Sequence, residues 1–219
     1  MKNNLLFEYM YSNKKVSVFG ALSPGYTSYR LEVICLENKK NNSIERINRE
    51  LVYKGSILDI YKDTMRVPNG NIEEWDFVSH RKGAAAVLPV LPDGRVIMVR
   101  QYRNALERET IELPAGCRDS VDEDTALTAA RELEEETGYK SDDISFLLSL
   151  KTTVAFCDEF VDVYLARELK AGKQHLDQAE DIDVEIYEVE KLCEMIYEGK
   201  IQDSKTVAAI LAYSNKYLK

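Results

Sequence analysis

The chemical signal of this chain is concentrated in one short run, where Arg131 is followed by Glu132, Glu135 and Glu136 and closed by Gly138-Tyr139. On a helix, Glu132 and Glu136 are one turn apart and share a face, with Glu135 beside them. Three carboxylates so placed repel one another and weaken the helix unless a cation sits between them. All-oxygen ligation suits Mg²⁺, with Mn²⁺ as the alternative. Arg131 can pair with a neighbouring carboxylate and hold it in place. Just upstream, Pro114-Ala115-Gly116 forms a tight loop whose exposed backbone carbonyl can add a further ligand. A bare Glu-rich helix is most often only a solvated face. Here the glycine loop, Arg131-Glu132-Leu133 and Glu135-Glu136-Thr137-Gly138 occur together in a strand–loop–helix context, which favours the metal site.

The elements that must position these groups are legible around them. Asp124 to Thr137 reads as a helix, capped by Ser120 or Asp122, with Glu123 in an acidic first turn and Gly138 as its stop. Its apolar face is expected to be Ala126, Ala129, Ala130 and Leu133. Strands are predicted at 57–66, 72–80, 84–91, 96–102, 145–151, 159–166 and 183–188. Turns at Pro68-Asn69-Gly70-Asn71 and Pro92-Asp93-Gly94-Arg95 join two of the pairs. Two helices, 190–198 and 204–217, close the chain. Before residue 50 the pattern predicts strands at Lys15–Phe19 and Tyr29–Cys35, a turn at Ser23-Pro24-Gly25-Tyr26, and a polar linker over 37–43.

Composition narrows the chemistry. With 45% hydrophobic and 31% charged residues, the 219-residue chain can fill a core without staples. A formal charge of −9 argues against a general nucleic-acid surface, and an acidic enzyme that handles phosphates needs a metal ion or local arginines between them. No apolar run approaches the roughly 18 residues of a membrane span, so no membrane partner is expected. The N-terminal stretch lacks a long apolar segment and a small-residue cleavage site, which predicts a cytoplasmic protein. The scattered Cys35, Cys117, Cys157 and Cys193 fit reduced apolar residues rather than a zinc or disulfide framework. Only His80 and His175 are present, too few for histidine-based metal sites.

The stretch Gly116 to Tyr139 resembles the Nudix box. Glu123 lies one residue further from Gly116 than the box pattern has it, and Asp122 occupies the expected position, so either can fill it. From Leu51 to Leu218 the chain is similar to the ADP-ribose pyrophosphatase branch of that family. The matching segments are Tyr53-Lys54-Gly55, Gly83 to Pro89, Val99 to Arg103, Glu112 to Gly116, Glu180 to Val184 and Ile201 to Thr206.

The resemblance implies an α+β chain with the Nudix fold, an α/β/α sandwich on a mixed β-sheet, preceded by an N-terminal β-region. The expected organisation is a β-hairpin-like extension over 1–50, dimer-forming strands over 51–80 and the Nudix hydrolase domain over 81–219. It also implies Glu132 and Glu136 as the principal Mg²⁺ ligands, Glu135 assisting and the Ala115 carbonyl completing the set. Arg131 and Glu135 support catalysis, and Glu180, from an acidic loop, is the general base. Arg103 is expected on a phosphate, Glu112 near the ribose or metal, and Trp75 on the adenine, reaching across a homodimer.

The reaction implied is hydrolysis of the diphosphate of a nucleoside-diphosphate sugar, foremost ADP-ribose. GDP-mannose or another such sugar is the alternative, because Val154 stands where ADP-ribose-cleaving relatives carry a proline. A non-cleaving Nudix-fold sensor is a further reading, set against the retained Glu132, Glu135 and Glu136.

Overall fold

The computed structural model describes residues 5–11, 14–20, 32–34, 43–178 and 180–218, with side chains from residue 43 onward. The chain divides into two compact units, 1–45 with 66–73, and 46–65 with 74–219. In the first, Leu5–Tyr11, Lys14–Gly20 and Glu32–Ile34 form an antiparallel sheet in that order. The strand expected at Lys15–Phe19 lies within the second of these, whereas Leu5–Tyr11 had no sequence signal. The expected turn at Ser23–Tyr26, the linker over 37–42 and all but the centre of the strand at Tyr29–Cys35 lie outside the described residues. Gly70 supplies the positive φ of 89° on which the Asn69-Gly70 turn depends.

The second unit is built around the strand Ala84–Pro89. It pairs antiparallel with Ala115–Cys117 on one side and parallel with Phe160–Arg167 on the other. Asp143–Lys151 completes this four-stranded mixed sheet. Side chains alternate between faces along a strand, and here both faces are covered. Ala85 and Val87 pack with Ala129 and Leu133 of helix α1 (Thr125–Thr137). Ala86 and Leu88 pack with Val189 and Leu192 of α2 (Val189–Tyr197) and Ile210 and Tyr213 of α3 (Ser204–Tyr217). That two-sided burial is why the strand reads as an unbroken apolar run, and it makes the unit an α/β/α sandwich. Each fully buried Leu or Val side chain in it contributes about 1.5–3 kcal/mol.

A second sheet, ordered Ile182–Tyr187, Val96–Arg103 and Arg108–Glu112, carries further site residues. A third contains Glu45–Lys54, Leu58–Arg66 and Ile72–His80. Among the described residues, no helix is long and apolar enough to cross a membrane.

Two expectations change in detail. Neither Ser120 nor Asp122 caps α1. Asp124 does: its backbone is extended (φ −66°, ψ 128°) and its carboxylate accepts the Ala126 N–H at 2.9 Å. The buried face of α1 is Thr125, Thr128, Ala129, Glu132, Leu133, Glu136 and Thr137, with Ala126 and Ala130 only half-buried. Two glutamates therefore share the stripe that faces the sheet. Gly138 ends the helix as expected, at φ 75°, and its N–H closes onto the Glu134 carbonyl at 2.8 Å.

Candidate active site

Glu132 and Glu136 descend from α1 onto the short strand Ala115–Cys117. The Glu136 carboxylate accepts the Ala115 N–H at 3.0 Å and is almost fully buried. Glu132 lies against Gly116 so closely that a Cβ built there would stand 2.0 Å from its Oε1. Only a residue without a side chain leaves room for that carboxylate.

Arg131 gathers the remaining groups. Its Nη1 donates to Glu132 at 2.7 Å and to Glu135 at 2.8 Å, and its Nη2 donates to the Cys117 carbonyl at 3.0 Å. The guanidinium thus ties the helix to the strand Ala115–Cys117. Asp119 and Glu123 stand at 3.8 and 4.0 Å from its Nε. Glu123 also accepts the Asp119 N–H at 2.5 Å, while Asp122 is exposed. Of the two acids that spacing left open, Glu123 is the one turned inward.

Burial dominates the electrostatics of the two inward-facing glutamates. Burial pushes the Glu136 carboxyl up to about 8, and Glu132 and Glu180 push in the same direction. Burial likewise raises Glu132 to about 7, with Glu135 and Glu180 adding to it and Arg131 opposing. Glu180 is exposed and accepts the Asp177 N–H at 3.0 Å. Its charge nonetheless adds to the upward shift of both buried glutamates. The acidic loop that carries Glu180 is anchored by Gln174, whose amide donates to the Glu136 carbonyl at 2.7 Å and the Ile182 carbonyl at 3.0 Å. The His175 N–H adds a bond to the Glu135 carbonyl at 2.9 Å.

Arg103 and Glu112 come together as a bidentate pair at 2.7 and 2.6 Å. Lys205 joins them at 2.6 Å from Glu112, a contact that nothing in the spacing of Ile201–Thr206 announces. Although burial opposes it, bonding to Arg103 and the nearby Lys205 hold the Glu112 carboxyl at about 2. Trp75 sits apart from this group in sequence, on Ile72–His80, and is 44% exposed.

Among the described residues, no three Asp, Glu, His or Cys side chains already stand together as a ligand set. Glu132 and Glu135 are held by Arg131, and Glu136 by the Ala115 N–H. The residues nevertheless fit a hard divalent cation. Two buried carboxylates with raised proton affinity, a third beside them and only oxygen donors are what such an ion relieves.

A NUDIX domain model matches residues 80–210. The chain belongs to the Nudix family. Nudix hydrolases generally need a divalent metal ion, in keeping with these carboxylates. An ADP-ribose pyrophosphatase of Bacillus subtilis is 38% identical over 166 residues, covering 75% of this chain and 89% of that one. A methanol dehydrogenase activator of Bacillus methanolicus is 36% identical over the same shares of the two chains. Among solved structures, an ADP compounds hydrolase superposes with a TM-score of 0.72 at 18% identity, covering 78% of this chain and 92% of that one, which bears on the fold. The matched residues span the central four-stranded sheet, the sheet that carries Arg103 and Glu112, and the first half of α3.

Proposed function

We propose that this Nudix protein hydrolyses the diphosphate of a nucleoside-diphosphate sugar, with ADP-ribose giving AMP and ribose 5-phosphate. The observation that carries this is the pair of buried carboxylates, Glu132 and Glu136, set against Ala115 and Gly116 of the short strand, with Arg103 near enough to feel the Glu136 charge. The name of the Bacillus subtilis relative supports ADP-ribose as the substrate.

Mg²⁺, or Mn²⁺ in its place, would be held by Glu132, Glu136, Glu135 and the Ala115 carbonyl. When bound it would neutralise phosphate oxygens and lower the pKa of the attacking water. The chain's own groups do the rest. Arg103 holds a phosphate through charge-assisted hydrogen bonds, with Glu112 lining the same subsite. Arg131 keeps Glu132 and Glu135 oriented. A Glu180 carboxylate oxygen takes the proton from the attacking water, a role worth about 10²–10⁴-fold. The water oxygen bonds to one phosphorus, the bridging oxygen leaves with the other, and two phosphomonoesters result.

The domain division at 50 and 80 and the homodimer belong to the same reading. On 51–80, Leu51, Val52, Tyr53, Ile57 and Trp75 are 44–61% exposed, an apolar surface that a second copy would cover. Trp75 would then stack on the partner's adenine. A cytoplasmic location agrees with the free thiols of Cys117, Cys157 and Cys193.

A second reading, GDP-mannose or another nucleoside-diphosphate sugar, is favoured by Val154. It is 82% exposed in the turn between the strands Asp143–Lys151 and Phe160–Arg167, free to meet a different sugar. ADP-ribose, GDP-mannose and NADH, incubated in parallel with protein and Mg²⁺, decide between them by product identification. AMP and ribose 5-phosphate from ADP-ribose are expected. Turnover of none of the three would remove the hydrolase reading. Glu136→Gln should abolish metal-dependent activity, and an unaffected rate would remove the ligand assignment.

A further inference from the structure

The head of α3 is wired into the site. Asp203 Oδ2 accepts from the Thr206 N–H at 3.1 Å and the Thr206 hydroxyl at 2.6 Å. The Thr206 oxygen in turn accepts the Leu113 N–H at 2.9 Å, one residue past Glu112. From the same turn, Lys205 Nζ donates to Glu112 Oε2 at 2.6 Å and to Asp203 Oδ2 at 3.0 Å, and its side chain is 13% exposed.

Glu112 is saturated as a result. Its Oε1 accepts from Arg103 Nε and the Thr110 hydroxyl, and its Oε2 from Arg103 Nη2 and Lys205. A carboxylate offers about four lone-pair sites, so all of them are in use. The Nε–Nη2 edge of Arg103 is fixed by this carboxylate. Among the described residues Arg103 Nη1 has no hydrogen-bond partner, and the Arg103 side chain is 40% exposed. The guanidinium therefore has one edge anchored in protein and one donor available to a ligand.

We propose that Lys205 is a positioning residue for the diphosphate: it locks Glu112, and Glu112 presents the open Nη1 edge of Arg103 to a substrate phosphate. The assignment rests on Arg103 as the phosphate ligand. Without Lys205, Glu112 keeps Arg103 and Thr110 but loses the contact that ties it to α3. Arg103 then gains rotational freedom that substrate binding must remove.

The test compares Lys205→Met, Lys205→Arg and wild type on ADP-ribose and GDP-mannose with Mg²⁺. Lys205→Met should raise KM about fivefold or more with kcat within about twofold, the pattern of lost binding rather than lost chemistry. Lys205→Arg, which keeps a cation within reach of Glu112, should recover most of the loss. In an Arg103→Ala background, Lys205→Met should change KM by less than about twofold, because the two act as a unit. An unchanged KM in Lys205→Met, or the same fold-change with and without Arg103, overturns the proposal. Should wild type cleave neither sugar, the hydrolase reading fails separately. The positioning claim is then read from thermal unfolding of the same double-mutant set, where strict additivity overturns it and coupling supports it.

Discussion

The Glu132 carboxylate rests on the Cα of Gly116, at a separation that leaves no room for a methyl group. Helix and strand thus meet in close contact at the point where metal ligation is proposed. Gly116→Ala would meet the far end of a flexible side chain rather than backbone, so Glu132 should yield and the fold survive. Overpacking of this kind costs about 1–3 kcal/mol, whereas a ligand displaced by about 1 Å can cost 10²-fold in rate. We expect Gly116→Ala to unfold cooperatively within several degrees of wild type while losing about 10²-fold or more in Mg²⁺-dependent turnover. Near-normal turnover would show that the contact is incidental.

Removal of metal should reveal the strain in the paired glutamates. Glu136 and Glu132 have folded pKa values of about 8 and 7, above their ordinary 4.5. Between 4.5 and 8 the folded state therefore holds more protons than the unfolded one, and stability falls as pH rises. In EDTA, the melting temperature should drop by roughly 5 °C or more between pH 5 and pH 8. Mg²⁺ should reverse most of that drop, since it supplies the missing positive charge. A flat profile that is indifferent to Mg²⁺ would contradict the burial of both carboxylates.

Glu112 should behave in the opposite sense. Its folded pKa, about 2, lies below the ordinary 4.5, so its contribution is complete above 4.5 and is lost as pH falls toward 2. Glu112→Gln leaves Arg103 and Lys205 without their anion. Loss of one partner of a buried pair costs about 3–5 kcal/mol, and less here because Arg103 is 40% exposed. Denaturant titrations should therefore show the variant clearly weaker at pH 7 and converging on wild type as the pH approaches 2. A constant difference across that range would rule out the ionised pair as its source.

How much of this could be read from the sequence depended on the distance between partners. The helix was legible because Arg131, Glu132, Glu135, Glu136 and Gly138 are neighbours whose spacing is itself the chemistry. Ala84–Pro89 was legible because burial on both faces leaves an apolar run. The cap was misread because Ser120, Asp122 and Asp124 are all competent acceptors, and only the backbone angles at Asp124 select it. Ala115–Cys117 was not recognised as a strand, since its glycine and the adjoining Pro114 read as a loop. It is a strand by virtue of pairing with Ala84–Ala86. Lys205 stood in a matching segment, Ile201–Thr206, that assigned it no role, and Gln174 carried no local mark. Their partners, Glu112 and the Glu136 carbonyl, lie 93 and 38 residues away.

Gln174 supplies a last prediction. Its single amide nitrogen spans the carbonyls of Glu136 on α1 and Ile182 beyond the acidic loop, so it pins both ends of the segment that carries Glu180. A loop held at both ends keeps the proposed base near the proposed ligands. Cut at Gln174, the loop keeps the His175 N–H bond to the Glu135 carbonyl at this end but loses its tie to Ile182. Gln174→Ala should therefore lower kcat by about tenfold or more with little change in KM, because the loss concerns proton removal and not phosphate binding. Glu180→Gln should lower kcat further, and the two changes together should be less than multiplicative. If Gln174→Ala raised KM alone, or if the two losses multiplied in full, the loop would have to be assigned to substrate binding and the base sought elsewhere.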